Sequence, residues 1–475
     1  MNDQLLLFLS ILLLFTACQA EKSTTTNNEK TASSTIVKED TTVRPKIPGP
    51  RTCFWTRGPV SKDPYMNIAY PDAGVFYWAA MFTIPEGATL TLEGDFPHSR
   101  YMSFISYDQR GAPVESMTDY LIVPEEGGVN PFIEGANRNA TKRRYQVNIL
   151  NAQPPNRKIE GSKVNEPIQV QDSKIQNNLI NTLHAPAYGP GQQAILYRIY
   201  VPDNGTAPTG GVDLPEAVLT LESGEVLRGT AACEALNSKQ PLRITPNAVG
   251  VPKAKYYELV HQPNKPVTHP ATNPPTWFIQ YDRAFLLGIY NGQMPENPRR
   301  STGGFYPNLD NNYVRAIINR KFGEVFVLRG KLPVTPKTFN GEEKMTAGQL
   351  VYWSLCSNQG FSHTRVNDCL YDEQVPVDKN GNYMIAISRA ADRPRNAYPE
   401  CGIGWLPMAD DGDGSFDEDV TIIQIRNMLA DPDFAESIQN IPGIGEEKAT
   451  MKEYLPQSYY TTKGAFEVFI PCFAK

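Results

Sequence analysis

The sequence predicts a mainly β protein: two related antiparallel β-sandwich or jelly-roll-like domains with few short helices. Two observations carry this expectation. The chain holds 40 Pro, 35 Gly, 23 Tyr and 20 Phe in 475 residues. Runs with helical periodicity are scarce, so short strands and turns dominate. The second observation is an internal repeat. Residues 77–97 align without a gap on residues 313–333. Tyr77 falls on Tyr313, Ala80 on Ala316, Gly87 on Gly323, Leu92 on Leu328, Gly94 on Gly330 and Pro97 on Pro333. Each copy reads as a strand, a Gly-containing turn and an alternating strand. Alternation gives each strand one buried face.

The chain opens on an apolar run, Leu5 to Ala17, too short for the roughly 20 residues that span a bilayer. It has the length of a signal-peptide core followed by small residues. Cys18 closes the run Phe15-Thr16-Ala17-Cys18. This layout resembles the lipobox of bacterial lipoproteins. The resemblance implies a signal peptide over 1–17 and lipid attachment, including palmitate-type acylation, at Cys18. It places the mature chain outside the cytoplasm, in the envelope at the outer membrane or cell surface. Two or more acyl chains anchor stably where one binds only marginally. The first four residues depart from the pattern in carrying no Lys or Arg. Residues 18–49 then read as anchor and disordered tether. They are rich in Thr, Ser, Asn, Lys and Glu, a composition that cannot bury enough surface to offset ordering entropy.

Folded structure is expected from Cys53. The first β-domain spans 53–235, a Pro-rich connector 236–304, and the second β-domain 305–475. Beyond the ungapped block, Tyr101-Met102-Ser103-Phe104 matches Tyr352-Trp353-Ser354-Leu355, and residues 144–149 match 382–387. Each copy closes on an Arg-bearing strand, with Arg198 in one and Arg426 in the other. A hairpin is signalled where Ser223-Gly224 separates Val218–Leu221 from Glu225–Leu227. One C-terminal helix is expected after Asp431 as N-cap and Pro432, with Phe434, Ile438 and Ile441 on its apolar face. Six Cys besides Cys18 permit three disulfides outside the cytoplasm, among 15 possible pairings. Cys356 with Cys369 is the pair expected here, because they end adjacent strand-like runs.

Gly404-Trp405-Leu406-Pro407, with the strand Arg198-Ile199-Tyr200-Val201-Pro202, resembles blocks of the bacterial domain of unknown function 1214, usually found with its partner domain 1254. This chain splits those elements between its two copies. The resemblance implies a β-rich fold outside the cytoplasm and supplies no reaction.

Net charge is −6, with no K/R-rich patch, so nucleic acid is excluded as a partner. There is no G-x-S-x-G elbow, phosphate-binding glycine loop or H-E-x-x-H pair. Five His are present, and Glu258 with His261 makes a lone E-x-x-H. In the acidic run 410–419, Asp411, Asp413 and Asp417 are candidate calcium ligands, though EF-type spacing fails at Ile422. No other cofactor is expected. The candidate ligand-binding residues are Arg100, Tyr101, Asp108, Asp119, Arg198 and Arg426. Two functions compete: a lipid-anchored envelope protein binding a ligand, glycan or protein partner, and a lipid-anchored polysaccharide hydrolase. The hydrolase requires convergent carboxylates in one cleft.

Overall fold

The computed structural model describes residues 53–155, 180–189, 192–206, 208–238, 250–280, 283–293 and 305–472. Cys18, the signal peptide and the tether lie outside these residues.

The first repeat contributes β1 (Arg57–Val60), β2 (Val75–Phe82), β3 (Thr89–Asp95), β4 (Ser99–Tyr107), β5 (Pro113–Thr118), β6 (Arg144–Leu150), β7 (Thr182–His184), β8 (Gln193–Pro202), β9 (Glu216–Thr220), β10 (Val226–Leu227) and helix α1 (Gly229–Ala235). The connector supplies α2 (Lys253–Val260), β11 (Phe278–Ile279) and α3 (Arg283–Asn291). The second repeat contributes β12 (Asn311–Asn319), β13 (Val325–Lys331), β14 (Leu350–Asn358), β15 (Val366–Tyr371), β16 (Asn382–Ser388), β17 (Gly404–Pro407), β18 (Val420–Ala430), α4 (Glu447–Met451), β19 (Gln457–Thr461) and α5 (Lys463–Phe469).

The four sheets come in two matching pairs. One pair runs β1-β2-β8-β4-β5 and β11-β12-β18-β14-β15; the other runs β10-β9-β3-β6-β7 and β19-β13-β16-β17, read from opposite ends. Both copies therefore repeat one topology, except that β10 has no counterpart in the second copy among the described residues. The ungapped sequence match falls on β2–β3 and β12–β13. Its Gly94 and Gly330 gain a reason: they face Tyr145 and Tyr383 across the ladder. A Cβ at either glycine would stand 2.8 Å from the tyrosine hydroxyl, so only hydrogen fits there. The sandwiches are not wholly antiparallel. The edge strands β7 and β17 pair parallel to β6 and β16. A parallel neighbour needs a long crossover, which residues 389–403 provide in the second copy.

Each sandwich closes over its own aromatic-rich core. Trp78, Phe104 and Tyr197 lie in the first; Trp353, Ile385 and Ile425 lie in the second. The connector packs into the second core through Tyr256, Leu259, Phe285 and Tyr290. A third apolar cluster, with Tyr101 and Tyr200 against Tyr352 and Met428, joins the repeats.

The expected helix after Asp431 does not form. Residues 431–441 make turns and one short 3-10 turn at Ile438–Asn440. Their backbone bonds step over three residues rather than four, as from Phe434 N–H to the Asp431 carbonyl at 2.9 Å. Phe434, Ile438 and Ile441 are still buried. The apolar spacing reports burial here, and the tertiary contact sets the backbone. The hairpin at Ser223-Gly224 forms as β9–β10.

Three disulfides close: Cys53–Cys233, Cys356–Cys369 and Cys401–Cys472. Cys356 and Cys369 are direct cross-strand partners on β14 and β15.

Candidate functional site

Side chains alternate along a strand, and that alternation builds the site. On β8, Ile195, Tyr197 and Ile199 enter the first core, so Leu196, Arg198 and Tyr200 face the other way. On β18, Ile423 and Ile425 enter the second core, leaving Gln424 and Arg426 on the opposite face. The same holds for Tyr77, Ala79 and Met81 on β2 and for Tyr313 and Arg315 on β12. These outer faces enclose a cavity of about 210 Å³ between the repeats. Met66 and Ile68, 45% and 38% exposed, stand at its rim. Four arginines line it: Arg57, Arg198, Arg315 and Arg426. No Asp or Glu occurs among its described lining residues.

Arg198 and Arg426 occupy equivalent places. Each is the cross-strand partner of a tyrosine, Tyr77 or Tyr313, and of a serine, Ser103 or Ser354. Both are 2% exposed. Each bonds backbone from the other repeat's Tyr-Pro segment. Arg426 Nη2 donates to the Tyr70 carbonyl at 3.0 Å, and Arg198 Nη2 donates to the Tyr306 carbonyl at 3.1 Å. The next residue decides their electrostatics. After Tyr70-Pro71 comes Asp72, fully buried, whose Oδ2 lies 3.1 Å from Arg426 Nη1 and accepts from Ser354 Oγ at 2.6 Å. After Tyr306-Pro307 comes Asn308. Both side chains accept through Oδ1 from the backbone two residues on, Gly74 or Asp310, at 2.9 Å. Where Asp72 then presents a carboxylate oxygen, Asn308 presents Nδ2, which donates to the Tyr200 hydroxyl at 3.2 Å.

Arg198 thus has no carboxylate partner among the described residues. Its Nη2 also reaches Tyr107 Oη at 2.5 Å, but its Nε and Nη1 have no hydrogen-bond partner among the described residues. Burial opposes the charge of both arginines. Asp72 is the largest offset for Arg426, whereas tyrosine hydroxyls, Tyr107 first, supply the offset for Arg198. Arg315 is 4% exposed and bonds Gln424 Oε1, and its guanidinium stands 4.5 Å over the Tyr70 ring. Its Nη1 is also unpartnered among the described residues. Burial lowers its pKa to about 10; Tyr70 opposes the shift and Arg426 adds to it.

Of the six ligand-binding candidates, only Arg198 and Arg426 meet in this cavity. Arg100 is fully buried in an ion pair with Asp372 at 2.5 Å and a contact to Glu373, which removes it from ligand duty. Tyr101 is buried in the joint between repeats and donates to Asp310 at 2.5 Å. Asp108 caps its own surface turn and pairs with Arg110 at 3.0 Å. Asp119 is buried, accepts from Met102 N–H at 2.9 Å and lines, with Arg100, a separate cavity of only about 20 Å³. Burial pushes its carboxyl well above the usual range, and Asp310 adds to the effect.

The acidic run is spent on its own loop. Asp413 Oδ1 accepts from the backbone of Ser415 and Phe416, each at 2.7 Å, and Asp411 accepts from Gln359 at 2.7 Å. Asp417 accepts from the Asp419 backbone at 2.9 Å. These three are not among the described groups whose potential ligand atoms gather within 4.8 Å; the group that does, Asp72 with Cys356 and Cys369, contains a disulfide. Glu258 pairs with Lys255 at 2.8 Å, while His261 stacks on Tyr257.

Arg315, Asp72 and Asn308 escaped the sequence reading. A signal was present. The register that sets Tyr77 on Tyr313 also sets Tyr70-Pro71-Asp72 on Tyr306-Pro307-Asn308. Extending the match a few residues toward the N-terminus would have exposed the Asp/Asn difference.

No family model matches the chain, and no curated protein does. Among solved structures, an uncharacterised protein from Burkholderia cenocepacia is similar at 11% identity and a TM-score of 0.41, over 77% of this chain and 75% of that one. A protein from Vibrio parahaemolyticus is similar at 11% identity and a TM-score of 0.35, over 82% of this chain and 89% of that one. Neither likeness carries a function to this chain.

Proposed function

We propose that this chain is a lipid-anchored envelope protein that binds a small molecule in the cavity between its repeats. One observation carries the reading: a concave space at the joint of the two sandwiches, lined by arginines and, among its described residues, by no carboxylate. Concave, mostly apolar sites with a few convergent polar groups are the usual form of a small-molecule site. A carboxylate-based polysaccharide hydrolase needs a pair of acids at such a place, and the described lining offers none. The three disulfides fit an oxidising compartment, as does the lipobox-like run ending at Cys18.

Two measurements test the halves of this reading. Cys18→Ala should move the protein from the membrane fraction to the soluble one, and an unchanged membrane pool sinks the anchor. For the cavity, a small-molecule screen on the full chain in detergent should find compounds that raise the melting temperature, because a ligand of the native state stabilises it. Ala79→Phe, which fills the cavity from β2, should abolish those shifts in a protein that still folds. Shifts that survive Ala79→Phe place the ligand elsewhere and reject the reading.

A further inference from the structure

We infer that the ligand is an amphipathic organic carboxylate, its anionic group held by Arg198 and Arg315 and its apolar body lying against Met66, Ile68, Met81, Leu196 and Phe305. This deepens the cavity reading and rests on it.

Two equivalent arginines stand in one buried setting, and among the described residues only Arg426 has a carboxylate at ion-pair distance. Removing one partner of a buried ion pair is strongly unfavourable, because it leaves an uncompensated charge out of water. Yet the first copy carries that arrangement: Arg198 is buried, two of its three guanidinium nitrogens are unpartnered among the described residues, and Asn308 stands where the acid would be. Ser103 shows the same gap. Its counterpart Ser354 donates to Asp72, whereas Ser103 Oγ has no carboxylate within hydrogen-bond distance among the described residues. Arg315 adds a second buried cation on the same cavity, also without a carboxylate at ion-pair distance among the described residues. Two buried guanidinium groups on one cavity, neither with a carboxylate at ion-pair distance among the described residues, call for an anion from outside. Carboxylate and phosphate both match the planar guanidinium, and the singly charged carboxylate costs less to bring against an apolar wall. A freely hydrated inorganic anion fits the rest of the wall poorly, since that wall is aliphatic and aromatic. A cavity of 150 Å³ holds a benzene, so this one of about 210 Å³ takes a body of roughly eight heavy atoms by the same scale.

The test is titration calorimetry on the full chain in detergent, with 3-phenylpropanoate and octanoate against their amides and alcohols. The carboxylates should bind at least tenfold more tightly than the matched neutral compounds. Arg198→Met and Arg315→Met should each erase that preference. Asn308→Asp should erase it too, by giving Arg198 an internal acid in a protein that keeps every arginine and its fold. Neutral analogues binding as well as the acids would overturn the carboxylate assignment and leave the cavity reading standing. Acids that bind with an undiminished preference in Asn308→Asp would also overturn it. If neither acids nor neutral compounds bind at millimolar concentration, both the assignment and the cavity reading fall.

Discussion

Arg426 and Arg198 are one residue used twice. The same strand position, the same tyrosine and serine neighbours and the same carbonyl of the opposite repeat surround each. Asp72 makes the Arg426 site a closed ion pair that ties the first repeat to the second. Asn308 leaves the Arg198 site open toward the cavity. A single oxygen-for-nitrogen difference thus separates a structural joint from a candidate ligand site.

The largest effect should come from making the second site like the first. Asp72→Asn leaves Arg426 charged, buried and unpaired, and should cost about 3–5 kcal/mol in urea unfolding. A loss below about 1 kcal/mol, the scale of an exposed pair, would show that Asp72 is not the partner that matters.

Truncating the arginines should split the copies. Arg426→Met strands Asp72 and should cost about 3 kcal/mol, whereas Arg198→Met removes a charge with no acid and should leave stability unchanged or raise it by about 1 kcal/mol. Equal losses in the two variants would erase the contrast on which the open site rests.

The smallest effect should be the symmetric one. Gly94→Ala and Gly330→Ala each drive a methyl against a tyrosine hydroxyl, and each should cost about 1–3 kcal/mol. Similar values are expected because Tyr145 and Tyr383 lie in equivalent registers. A several-fold difference would mean that the copies diverge in packing as well as in charge.

A second comparison concerns pH. Asp119 and Asp372 both accept the backbone N–H of an equivalent residue, Met102 or Trp353, at 2.9 and 3.0 Å. Arg100 compensates Asp372 alone. Asp119 has its carboxyl raised by burial, so the folded state holds a proton that the unfolded state releases near pH 4. Stability should therefore fall as pH rises from about 4 through the raised folded value. Asp119→Asn should flatten that slope in pH-dependent melts, and an unchanged slope would count against a buried, protonated Asp119.

Much of the fold was legible because a β-duplication writes itself in residues with few substitutes. Gly94 and Gly330 recur because no Cβ fits beneath the paired tyrosines. Tyr101-Met102-Ser103-Phe104 recurs as Tyr352-Trp353-Ser354-Leu355 because alternate residues serve the core and the joint. Cys356 and Cys369 were readable from strand ends. The helix after Asp431 was misread because apolar spacing reports which side chains are buried, not which backbone carries them. The site was half legible. Arg198 and Arg426 stood out as the charged residues of two apolar strands. Arg100, Tyr101, Asp108 and Asp119 were equally conspicuous, and nothing local distinguishes a buried charge with a partner from one without.

Local pattern alone carried the β class, the twofold repeat and the arginine on each closing strand, and it singled out Cys356 with Cys369 as the expected pair among 15 pairings. All follow from local pattern: alternation, glycine where nothing larger fits, cysteines on neighbouring strand-like runs. Only the tertiary structure decided that the sandwiches face each other through their arginine-bearing sheets, that each Tyr-Pro segment crosses to the other copy's arginine, and that Asp72 answers one arginine while Asn308 fails to answer the other. Those facts depend on contacts between residues hundreds of positions apart. Charge compensation belongs to such contacts, and no stretch of sequence read alone contains both partners.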